Sequence, residues 1–524
     1  MVALLALSLG LGGWWVLWKR GPLQLQHHPL SIPRAAQFVP RQAPFSLYVF
    51  SDGEQPVDYA RAVAPLRQRD GVTTAVERLR DGVFAAAGLN YHDELAGWLA
   101  PEIGLSLFDA PGQEPGSSWL LVLSSKDGEG ARRFLQRFWQ SRSLAGSGLQ
   151  ISQYRGMGLI SGRGALVGRD PVPLATALVQ DDLVLIASGR TTLERALDVS
   201  QIDTLNETGL QPLRKGVEQL GEGMALLVAR AEAFSPWLGF PEVPANETSG
   251  DALLVATLHP EGRELVVDGV LHAQEMPSLP PLGDGGTTTE ALLLKGLGGD
   301  SDSLAFLRNP AALLAQPWLK PLVQTITSPP GAGPLPLQLA AVDPDVLLVS
   351  QSAEGWLLGT SDHTPRPETL DPALAAEGLI QAPLEVDGES VTVWTRLRAK
   401  GDGGRHGGDQ QLQASVAGWW RPKDGVAWWG GNLSLLRDRS AGRSLQERQR
   451  QLEDLDRPGA SLRWVLGEQT ATALLQPWGP WNRLTTVAGG PLAKGLRSLS
   501  FALQPDDSAM RWTARIQFAS PTHG

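Results

Sequence analysis

The sequence predicts an α+β protein: an N-terminal transmembrane helix plus two diverged tandem α+β units with mainly antiparallel sheets. Three observations predict it. Residues 2–18 carry no charge. Local patterns in the first half of the chain recur in the same order in the second half. Short strand-like runs are punctuated by single amphipathic helices, not by the regular βαβ alternation of a parallel sheet.

The anchor comes first. Val2 to Trp18 (VALLALSLGLGGWWVLW) would span about 26 Å as a helix at roughly 1.5 Å per residue, just short of a hydrocarbon core of about 30 Å. Trp14, Trp15 and Trp18 fall where an indole can keep its N–H wet, and Lys19 and Arg20 can snorkel to the headgroups. A cleaved signal would carry a basic start and a small-residue cleavage site. Here bulky Trp and Lys19-Arg20 occupy that place, so an uncleaved anchor over 1–20 is expected, in a plasma or thylakoid membrane. Lys19 and Arg20 alone would keep the body cytoplasmic. A basic leader ahead of the run would export it to the periplasm or lumen, the side slightly favoured if such a leader is missing.

A polar stalk over 21–36 leads into a first unit over 37–275, a Pro/Gly/Thr-rich linker over 276–289 and a second unit over 290–520. The duplication rests on four ordered matches. Ala100 to Ile103 matches Asp343 to Val346, and Asp181 to Ser188 matches Asp424 to Gly431. Pro236-Trp237 matches Pro477-Trp478, and Leu258 to Glu261 matches Leu503 to Asp506. Within a unit, Trp119 to Ser124 reads as a buried strand. Asp127 then caps a helix whose apolar face is Ala131, Phe134, Leu135, Phe138 and Trp139. Thr191 and Glu194 have the spacing of a capping box. Glu264 to Leu271 and Arg511 to Phe518 alternate as half-buried strands do. Ser444 to Leu455 is a charged helix with a narrow leucine stripe.

Composition excludes several classes. The net charge is −10 and no basic stripe exists, which argues against nucleic acid as a partner. There is no cysteine, so disulfides, thiolate metal sites and cysteine nucleophiles are excluded. The eight histidines include no H-E-x-x-H spacing, and no metal site is expected. Gly156, Gly158, Gly162 and Gly164 have the wrong spacing for a dinucleotide loop and read as a hairpin. No G-x-S-x-G elbow anchors a hydrolase triad. No catalytic residue and no cofactor are assigned.

The most distinctive local feature is a tryptophan hairpin. Trp419-Trp420 and Trp428-Trp429 flank Pro422-Lys423-Asp424-Gly425, a turn. In the register expected, Trp419 lies opposite Trp428, and Trp420 and Trp429 share the other face diagonally. Core packing on both faces explains these indoles, and an exposed patch for a protein partner or ligand is the functional alternative.

Further motifs carry a resemblance. Pro33-Arg34-Ala35-Ala36-Gln37-Phe38-Val39-Pro40 follows the anchor. Leu89-Asn90-Tyr91-His92-Asp93-Glu94-Leu95, Trp98-Leu99-Ala100-Pro101-Glu102 and Leu183 to Gly189 come after it. This layout resembles the uncharacterised cyanobacterial domain-of-unknown-function 3352 family. The resemblance implies a photosynthetic bacterium and a thylakoid or plasma membrane, and it brings no catalytic residues. The resulting expectation is a membrane-tethered, non-catalytic binding or assembly protein with a protein partner in the membrane. Its default site is the cleft between the two related units. The alternatives are an envelope hydrolase with spatially paired carboxylates and a lipid or pigment carrier.

Overall fold

The computed structural model describes residues 22–518 apart from 110–117, 143–147, 165–171, 240–251, 274–284, 343, 362–365, 401–410, 438, 456–458, 489–494 and 507–508. The fold is α+β and built on one antiparallel sheet of 20 strands. In the first half these are β1 (Phe45–Val49), β2 (Leu99–Phe108), β3 (Ser118–Ser125), β4 (Gln150–Tyr154), β5 (Met157–Gly164), β6 (Val172–Val179), β7 (Leu183–Ala187), β8 (Ala225–Arg230), β9 (Leu253–Glu261) and β10 (Glu264–His272). The second half adds β11 (Ser303–Arg308), β12 (Val346–Ser352), β13 (Gly355–Ser361), β14 (Ile380–Val386), β15 (Glu389–Lys400), β16 (Gln411–Lys423), β17 (Val426–Gly430), β18 (Leu462–Leu466), β19 (Leu496–Asp506) and β20 (Ala509–Phe518).

Pairing in the first half runs β4-β5-β6-β7-β3-β2-β1-β8-β9-β10. In the second half it runs β14-β15-β16-β17-β13-β12-β11-β18-β19-β20. The two orders are the same. β7 and β17, matched in the sequence, hold the same place in each.

The halves meet at β10 and β20, which pair from Glu264↔Gln517 to His272↔Ala509. Asp268 lies opposite Thr513, at the centre of this ladder. A two-fold axis through that pair relates the halves. One apolar cluster crosses the seam, joining Ala233, Phe234 and Leu254 to Leu319, Trp429, Leu462 and Leu503. Trp478 Nε1 donates to the Leu238 carbonyl at 2.7 Å, so two of the matched Pro-Trp loops touch. Gly269 is required where β10 crosses β20, because a Cβ there would lie 2.3 Å from the Trp512 ring.

Two parts of the predicted fold are corrected. The expected sheets of two tandem units are one sheet, because each half leaves an edge that the other completes. Among the described residues no helix is long and apolar enough to cross a membrane. The longest, Arg69–Ala86, carries Asp70, Glu77, Arg78, Arg80 and Asp81. Residues 1–20, the expected anchor with Trp14, Trp15, Trp18, Lys19 and Arg20, lie outside the described residues. The segment expected as a stalk is packed down: Leu25, Ala35 and Ala36 are buried, followed by Phe38 and Val39.

Helices cover both faces of the sheet, so central strands are apolar on both sides. β7 (LVLIA) is wholly buried. The helix Gly128–Arg142 buries the expected face of Ala131, Phe134, Leu135, Phe138 and Trp139. The Thr191–Glu194 capping box does not form. Gly189 caps Arg190–Val199 without a side chain, and Glu194 pairs with Arg190 instead.

The tryptophan hairpin differs from expectation in register. Asp424 and Gly425 have φ of 52° and 79°, so they make a two-residue turn between Lys423 and Val426. That tighter turn places Trp420 directly opposite Trp429, while Trp419 faces Gly430 and Trp428 faces Arg421. Trp429 is fully buried and stacks on Trp394 at 5.7 Å. Removing it leaves a cavity the size of an indole in a core shared by both halves. Trp429→Ala should therefore lower the unfolding free energy by about 3–5 kcal/mol, read from the shift of the urea midpoint at unchanged slope.

Candidate functional site

The strands at the seam are two-faced. On one side Trp512, Ala514 and Ile516 of β20 lie with Leu265 and Leu271 of β10, and Trp512, Ile516 and Leu271 meet the shared core. On the other side lie Thr513, Arg515 and Gln517 with Glu264 and Asp268. Two helices flank this polar side. Gln211–Leu220 packs on β9 and β10, and Arg443–Asp454 packs on β18 and β11. They precede β8 and β18, so they occupy equivalent places in the two halves.

At the Glu264–Gln517 end the helices leave an open groove of about 670 Å³. Glu261, Arg263 and Glu264 of the β9–β10 hairpin line it, with Gln451 and Asp454 of the second helix and Ser498, Ser500, Arg515 and Gln517 of β19 and β20. Arg515 Nη1 reaches Glu261 at 2.8 Å and Glu264 at 3.2 Å. Burial opposes the guanidinium charge, but the two carboxylates outweigh it and raise its pKa. Gln517 Nε2 donates to Glu264 Oε1 at 3.2 Å, and Ser498 Oγ donates to Gln517 Oε1 at 3.0 Å. Gln451 Nε2 donates to Ser498 Oγ at 3.0 Å, and Gln451 Oε1 is buried with no partner among the described residues. At the centre of the seam Thr513 Oγ1 donates to Asp268 Oδ1 at 2.5 Å.

The serines have no histidine beside them in the lining, and Arg515 holds both nearby glutamates. Among the described residues no group of three His, Asp or Glu is placed to hold a metal ion.

The predicted aromatic patch lies elsewhere and faces inward. Trp419, Trp428 and Trp429 are buried. Trp419 Nε1 donates to the Asn432 carbonyl at 2.9 Å, and Trp429 Nε1 to Thr360 Oγ1 at 3.4 Å. Trp420 is half-buried against Trp429. Three of the four indoles thus pack as core, with Trp420 at its margin. Sequence reading missed the groove residues. The polar alternation Arg511, Thr513, Arg515 and Gln517 was visible, but nothing in the sequence said that Glu264 and Ser498 would stand beside it.

Other buried charges are structural locks. Glu290 bridges Arg308 and Arg463, each at 2.6 Å. Arg142 grips Glu94 at 2.7 Å beneath the Phe138 ring. Glu207 accepts from Tyr48 Oη at 2.6 Å and Ser46 Oγ at 2.7 Å, with no solvent contact.

A family described as "Protein of unknown function (DUF3352)" has a model that matches residues 1–283. No curated protein matches the chain. Two crystal forms of TP0453 are similar to it at 12% identity and a TM-score of 0.26, covering 48% of this chain and 82% or 84% of theirs. At that TM-score the likeness carries no argument.

Glu207 makes a testable difference to stability. Burial pushes its carboxyl up from 4.5 to about 7, against the hydrogen bonds from Tyr48 and Ser46. The folded state thus holds the proton more tightly than the unfolded chain. The resulting stability is full below the unfolded value and is lost as pH rises through about 7. The loss is on the order of 3 kcal/mol. Glu207→Gln should remove most of this decline, seen by comparing urea midpoints of the two proteins at about pH 5 and about pH 8.

Proposed function

We propose that this chain, which belongs to the DUF3352 family of proteins of unknown function, is a non-catalytic binding or assembly protein. The observation that carries this reading is the polar groove at the seam. It is lined by residues of both halves, the β9–β10 hairpin on one side and β19, β20 and the helix Arg443–Asp454 on the other. Amides, hydroxyls and ion-paired carboxylates line it, which is the chemistry of a surface that recognises polar groups. The hydrolase reading needs a carboxylate pair with separate acid and base roles. Glu261 and Glu264 instead share one arginine, Arg515. A lipid or pigment carrier needs an enclosed apolar chamber, whereas this groove is open and polar.

A protein partner in a plasma or thylakoid membrane is part of the proposal. It is supported by the uncharged run of residues 2–18 and by the cyanobacterial character that the family resemblance implies. Lys19 and Arg20 alone favour a cytoplasmic body, and a basic leader ahead of the run would put it on the exported side.

The test is co-purification from native membranes in mild detergent with a C-terminal tag, followed by mass spectrometry. The expected result is a stoichiometric partner that survives a salt wash. Asp454→Lys should reduce its recovery about tenfold, the equivalent of about 1.4 kcal/mol, at an unchanged melting temperature. A tagged protein that emerges alone, or a partner indifferent to Asp454→Lys, would overturn the reading.

A further inference from the structure

The sheet is open, so it has two outer edges, β4 and β14. Among the described residues no strand pairs with the outer side of either. The two edges are built differently. β14 (IQAPLEV) carries Pro383, which cannot donate to a ladder, and Glu385, whose charge would be stranded in one. β4 (QISQY) has neither proline nor charge. Ile151 on it is 81% exposed. Edge strands of this kind invite another strand.

The hairpin fixes which backbone groups are free. Arg155 and Gly156, with φ of 50° and 81°, form a two-residue turn between Tyr154 and Met157. In such a hairpin the flanking pair is hydrogen-bonded. Gln150, Ser152 and Tyr154 therefore bond inward to β5, and the N–H and C=O of Ile151 and Gln153 point outward. The hairpin is held in place before any partner arrives: Tyr154 Oη donates to Asp198 at 2.9 Å and Arg155 Nε at 3.0 Å. That lowers the ordering cost of docking.

We propose that β4 docks against β4 of a second copy of this chain, antiparallel, about a two-fold axis at Ser152. This register sets Ile151 of one copy opposite Gln153 of the other, with their free backbone groups facing and no like charges opposed. The chain already joins its own halves this way at β10 and β20. The guarded β14 edge blocks head-to-tail addition, so assembly closes at a dimer.

Light scattering of the full chain in mild detergent should give twice the protein mass found for Ile151→Lys, at equal melting temperatures. Ile380→Lys on the opposite edge should behave as wild type. The chain has no cysteine, so Ser152→Cys should give a single oxidised, reducible dimer band without background. That follows because non-hydrogen-bonded antiparallel pairs lie within disulfide reach. A wild type of one-chain mass throughout the micromolar range would overturn the proposal. So would an Ile151→Lys variant that keeps the double mass, or Ser152→Cys chains that fail to cross-link.

Discussion

The ladder between β10 and β20 is the constraint on which the rest depends. It turns two open ten-strand sheets into one and removes two long edges of unpaired N–H and C=O groups. It also brings the apolar sides of both strands to one core, so the halves share Trp429 with Phe234 and Leu254. The polar side of the same strands then has to be covered or used. The two flanking helices cover most of it and leave the groove. Fold, core and candidate site therefore follow from one strand pairing.

The interior is richer in charge than its apolar strands suggest. Glu290 with Arg308 and Arg463, and Arg142 with Glu94, place ions beneath helices on different faces. Such groups are tolerated when every charge is met, and removing one partner leaves the other exposed to the full desolvation cost. These locks lie outside the groove lining and fix helices on strands. The groove pairs are only half-buried, so solvent screens them and their worth lies in orientation.

Much of the architecture was legible. The ordered matches foresaw equivalent strands: Asp181 to Ser188 and Asp424 to Gly431 do hold the same place in each half. Period-two alternation in Glu264 to Leu271 and Arg511 to Phe518 gave the two faces at the seam. What could not be read was which edges would meet, because strand pairing between distant segments leaves no local trace. Thus two tandem sheets were expected where one exists. The tryptophan register slipped because Asp424-Gly425 makes a tighter turn than the four residues around it suggested. The groove was missed for a related reason: Arg515, Glu264 and Ser498 are ordinary polar residues until three strands align them.

The axis through Asp268 and Thr513 has a consequence for counting. It carries the Glu264–Gln517 end of the ladder onto the end formed by Ala509 and His272. In a symmetric pair of half-chains both ends would be alike and would offer two identical grooves. Here one end bears Glu264 and Gln517. The other has a buried alanine and a histidine held below its ordinary range by burial and by Lys215. Among the described residues, the two ends of one two-fold ladder thus carry different side chains, and the groove lies at the Glu264–Gln517 end.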